Sequence, residues 1–183
     1  EYTKDDGSIG VSYNSKKVFD ITQTNAKPRE NAGIKRDERM LLKALIHNAP
    51  CPIEISQQMP EGINAAYRPQ DKKIFVRAGL DAGDIFRGLS QELAHAHLDN
   101  GEYKRNEHAF TAYCASYMLC SRYNVAKDMF RFERLPENIS TMDARSMRNE
   151  LSKIRDVANE ISADMAKILE KDMKPKERRD EAR

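Results

Sequence analysis

Apolar residues recur at helical spacing in four stretches of this chain, and a zone of short alternating runs lies between the first two. Residues 36–48 carry Met40, Leu41, Ala44 and Leu45 on one helical face. Residues 52–56, 64–68 and 73–77 read as strands, the last two joined by the turn Pro69-Gln70-Asp71-Lys72 into a hairpin. A second helix is expected from Asp81, with Asp81 as N-cap and Asp84 in its first turn. Its apolar face runs through Ile85, Phe86, Leu89, Leu93 and Ala96. A third helix is expected over 102–123, with Phe110, Tyr113, Cys114, Tyr117, Met118 and Leu119. The pattern predicts an α+β domain, mostly helical, with a small antiparallel sheet.

The last stretch differs in period. Met147, Leu151, Ile154, Ala158, Ile161, Met165 and Ile168 follow alternating steps of four and three. That is an a/d seam over about three heptads. It predicts a long amphipathic helix over 138–172, folded onto its own domain or laid against a partner. Burial within the same domain, and hence a monomer, is the favoured expectation. Residues 1–16 are expected to form a flexible lead, and the charged residues 173–183 a disordered tail.

Candidate chemistry sits on the second helix. Gln91-Glu92-Leu93-Ala94-His95 matches the H-E-x-x-H motif of zinc peptidases in all but its first position. In the intact motif two histidines one turn apart hold Zn²⁺, and the glutamate deprotonates a metal-bound water. At about 100° per residue, positions 91 and 95 lie roughly 40° apart on one face. Glu92 flanks them, whereas His97 lies well round the helix. The amide oxygen of Gln91 is neutral and hard, a poor zinc ligand beside imidazole. On the motif alone, a solvated or hydrogen-bonded polar helix face is the favoured explanation of the segment.

Three stretches together resemble a known group. Residues 18–24 (Val-Phe-Asp-Ile-Thr-Gln-Thr), the Gln91–Ala96 helix segment and residues 107–120 are similar in type and order to the zincin domain of ArdC-type antirestriction proteins. More distantly they resemble ImmA/IrrE-type metallopeptidases. Domains of this kind occur within large multidomain proteins of bacterial conjugative elements. The resemblance covers roughly residues 17–137. It implies a minimal zincin-like fold, a Zn²⁺ cofactor, Glu92 as general base, and His95 and Glu107 as metal ligands. Gln91 takes the remaining ligand position. Around Glu107 the register leaves Glu102 and His108 as alternatives, and Tyr103 or Tyr113 could polarise a substrate carbonyl. A peptide substrate would lie along the sheet edge as an added strand. The departure at Gln91 keeps a second function open: a non-catalytic binding or scaffolding module, its cleft used for recognition alone.

Composition narrows the setting. In 183 residues the apolar share is 39% and the charged share 33%, which suits one core with much surface. Net charge is only +2, with both signs interspersed, so there is no nucleic-acid footprint. No apolar run reaches membrane-spanning length. The expected partner is a protein or peptide. Cys51, Cys114 and Cys120 are odd in number and lack metal-ligand spacing, which points to reduced thiols in a bacterial cytoplasm. The chain begins at Glu1 rather than Met, so a longer parent protein is expected.

Overall fold

The computed structural model describes residues 2, 3, 7, 9, 10 and 37–173, with side chains to residue 170. Two units are distinguished, Glu1–Ala32 and Gly33–Arg183. In the first, two short strands, β1 (Tyr2–Thr3) and β2 (Ile9–Gly10), are paired antiparallel. The box at 18–24 and the charged tail from 174 lie outside the described residues.

The second unit is α+β. Helix α1 (Glu38–His47) starts where the Asp37 carboxylate accepts from Arg39 N–H, and it buries Leu41, Ala44 and Leu45. Three strands follow: β3 (Ile53–Ser56), β4 (Ala65–Arg68) and β5 (Lys73–Arg77). Their spatial order is β3-β5-β4. The hairpin β4–β5 is antiparallel as expected, but β3 runs parallel to β5, so the sheet is mixed rather than antiparallel. The long connection from β3 to β4 allows it: the chain crosses to the far side of the position that β5 later fills.

Helix α2 (Ala82–Leu98) is capped at Asp81, whose carboxylate accepts from Asp84 N–H at 2.7 Å. It is the central helix, packed against α1, β4, β5 and the two long helices further along the chain. Helix α3 (Arg105–Tyr123) crosses it through small residues. Ser90 and Ser116 hydroxyls meet at 2.8 Å, and Ser116 also donates to the Arg87 carbonyl. Asn124, in the left-handed region at φ 56°, ends α3.

After a short turn of helix, α4 (Glu137–Ser140), comes α5 (Ala144–Met173). Its buried face holds Ile154, Val157, Ala158, Ile161, Met165, Ile168 and Leu169, covered by α1, α2 and α3. The first two seam positions behave differently: Met147 is half-buried and Leu151 is 54% exposed. At this end Glu150 turns inward and accepts the Thr111 hydroxyl, so the buried face is rotated by one residue, about 100°. Among the described residues no helix is long and apolar enough to cross a membrane.

Candidate functional site

Gln91, Glu92 and His95 sit on α2 as the helical spacing requires, but their surroundings divide them. Glu92 is 3% exposed. Its Oε2 accepts the Tyr67 backbone N–H of β4 at 2.7 Å and Arg105 Nη1 at 2.8 Å, and its Oε1 accepts Arg105 Nη2 at 2.6 Å. A forked guanidinium–carboxylate pair is the strongest geometry for such a contact. The Arg105 guanidinium is held above its ordinary pKa, chiefly by hydrogen bonding to Glu92.

Arg105 is the residue that sequence reasoning missed. A signal was present: Lys104 and Arg105 open α3, where the helix dipole disfavours cations, and Lys104 supplies no side-chain cap. A cation at that position needs a compensating anion, and Glu92 is that anion.

His95 is fully buried. Its Nδ1 pairs with the Tyr103 hydroxyl, and its Nε2 has no hydrogen-bond partner. Burial first, then the charges of Arg105 and His108, lowers its pKa from 6.5 to about 3, so the ring is neutral near pH 7. Tyr103 is the hub of this corner: edge-on to His95 and Tyr67, and stacked on His108 at 5.5 Å. Burial pushes its hydroxyl up to about 12, so it remains protonated.

The folded state therefore resists protonating His95, while the unfolded chain takes that proton near pH 6.5. Stability is complete above that pH and falls as pH drops from about 6.5 toward 3. Urea midpoints measured across this range should decline in the wild type. In His95→Gln the decline above pH 4 should flatten, and an unchanged slope would count against a buried neutral ring.

Glu107 is exposed and pairs with Lys104 at 3.1 Å. Of the alternatives, Glu102 is exposed and His108 is engaged with Tyr103. Among the described residues no three His, Cys, Asp or Glu side chains group so as to hold a metal ion. Of the expected set, His95 Nε2 is buried without a hydrogen-bond partner among the described residues. Gln91 offers a neutral amide, Glu107 is turned outward, and the Arg105 cation already occupies Glu92. This donor set does not fit a zinc ion. The thiols are no substitute: burial raises the pKa of all three, Cys114 and Cys120 to about 11.

Gln91 faces a cleft of about 290 Å³. One wall is the segment from Gly62 to Ala65. Tyr113, Met129 and Phe130 also line the cleft, as do α2 residues and Arg105. The Met129–Phe130 wall is fixed by rings: Phe130 and Phe132 interleave with Tyr113 and Tyr117 at centroid distances of 5.1 to 5.4 Å. The expected strand addition along the sheet edge is blocked at β4. Tyr67 N–H is already bound by Glu92, and α2 approaches so closely at Gly88 that a Cβ there would lie 3.3 Å from Ala65 Cβ.

The chain matches no family model, no curated protein and no solved structure.

Proposed function

We propose that this domain is a non-catalytic protein-binding module on a zincin-like scaffold of the ArdC-type kind. The observation that carries this is the state of Glu92. A general base needs a lone pair directed at the proton it removes. The Glu92 carboxylate is instead committed to three N–H donors, one from the sheet and two from Arg105. The loss of histidine at position 91 and the outward turn of Glu107 support the same reading. So does the cleft, whose lining includes the apolar side chains of Ile63, Met129 and Phe130. On this reading the domain serves as part of a longer protein of a conjugative element, in the bacterial cytoplasm, and contacts another protein or peptide.

The alternative is zinc-dependent peptide hydrolysis. One observation favours it: His95 Nε2 is buried without a partner, as a ligand nitrogen would be before metal binding.

Zinc titration calorimetry separates the two. Wild type and Gln91→His should bind Zn²⁺ equally weakly, because a new imidazole does not free Glu92 or turn Glu107 inward. A gain of two orders of magnitude in the variant would show that a single substitution completes a metal site, and would reverse the conclusion.

A further inference from the structure

The cleft beside Gln91 has a balance of charge that limits what it can hold. Its two cations each have a carboxylate of their own: Arg105 is bound by Glu92 and Arg87 by Asp84. Arg87 also donates to the Ala126 carbonyl, so its guanidinium is held by two protein partners. No uncompensated charge remains to attract an anion or a cation. Two carboxamides on the lining, Gln91 and Asn64, have no side-chain partner among the described residues. A carboxamide both donates and accepts, the pattern that the N–H and C=O of one extended residue present in reverse. On the rim are Ile63, 41% exposed, and Met129, 72% exposed, beside Phe130. A Met-bearing wall adapts to side chains of different shape.

We infer that this cleft recognises a neutral, internal stretch of peptide, with the Gln91 carboxamide paired to the N–H and C=O of one extended residue and one apolar side chain seated against Ile63, Met129 and Phe130. The inference rests on the protein-binding reading and gives it a chemistry. The volume, about 290 Å³, is at the lower end of ligand pockets and has room for one side chain with its flanking main chain, not for a folded element. The closed β4 edge accounts for the use of side-chain amides: the backbone group that would pair with an added strand is already occupied by Glu92. The glutamine that breaks the metal motif thereby has a role of its own.

The test uses the full ¹⁵N-labelled chain and three probes: Ac-Ala-Leu-Ala-NH₂, Ac-Ala-Asp-Ala-NH₂ and the free acid Ac-Ala-Leu-OH. The leucine tripeptide amide should shift the Gln91 side-chain NH₂ and Met129 amide signals to saturation. The aspartate peptide and the free acid should bind at least several-fold more weakly. Gln91→Ala should weaken the leucine peptide about tenfold, as loss of paired neutral hydrogen bonds does. Met129→Ser, at an exposed position that leaves folding untouched, should weaken it several-fold. Absence of any shift at Gln91, or equal binding of the charged probes, overturns the inference while the peptide stays intact. Cleavage of the peptide, read by mass spectrometry in the same sample, would instead overturn the non-catalytic reading beneath it.

Discussion

Glu92→Ala should cost the domain about 3 kcal/mol of stability, read as a lower urea midpoint at unchanged slope. The loss has two sources. The Arg105 guanidinium keeps its charge without a counter-ion, and the Tyr67 N–H loses its acceptor in a place that water does not reach. Breaking a buried ion pair costs about 3–5 kcal/mol. The Arg105 side chain is 44% exposed and can be partly hydrated, which puts the effect at the lower end of that range. Glu92→Gln should cost about half as much, because an amide oxygen still accepts from Tyr67. Removal of a catalytic base has the opposite signature: activity falls while stability holds or rises. A Glu92→Ala protein as stable as wild type would therefore mean that the carboxylate is not structural, and the argument against catalysis would fail with it.

Ile161→Asp should cost more, about 4 kcal/mol or complete unfolding. Ile161 is 3% exposed, on the α5 face that α1, α2 and α3 cover, and an aspartate there has no partner for its charge. Leu151→Asp is the internal control. It belongs to the same apolar repeat but is largely exposed, so its effect should stay within about 0.5 kcal/mol. Thermal melts of the two variants make the comparison. Small and equal losses would mean that α5 is not held by its own domain.

The contrast between these two positions shows what the sequence could and could not reveal. The Asp143 cap that starts α5 was missed, the helix being expected from 138, but the start of α2 was legible because Asp81 caps its own backbone within three residues. The hairpin β4–β5 was legible for the same reason. The a/d repeat correctly marked α5 as amphipathic, but its first two positions depend on Glu150 meeting Thr111 from α3, a contact 39 residues apart. The parallel pairing of β3 likewise depends on a strand that arrives later in the chain.

The candidate site divides in the same way. Motif spacing correctly put Gln91, Glu92 and His95 on one helix. It could not show that Glu92 is bound to an arginine 13 residues away on the next helix. Once Arg105 is known to face Glu92, the position of Glu107 follows. Two residues along a helix turn the side chain by about 200°, so Arg105 and Glu107 cannot both face α2. Assigning Glu107 as a ligand was an argument from motif position, and helix phase opposes it.

The strand order β3-β5-β4 also has a consequence in time. During synthesis β3 leaves the ribosome before β5, its partner in the sheet. The hairpin β4–β5 closes through a four-residue turn and can form as soon as both halves have emerged. The β3 segment has no sheet partner until then, and joining it closes a loop that contains the whole hairpin. Its pairing is a late step in assembly, and its rate is governed by that longer closure.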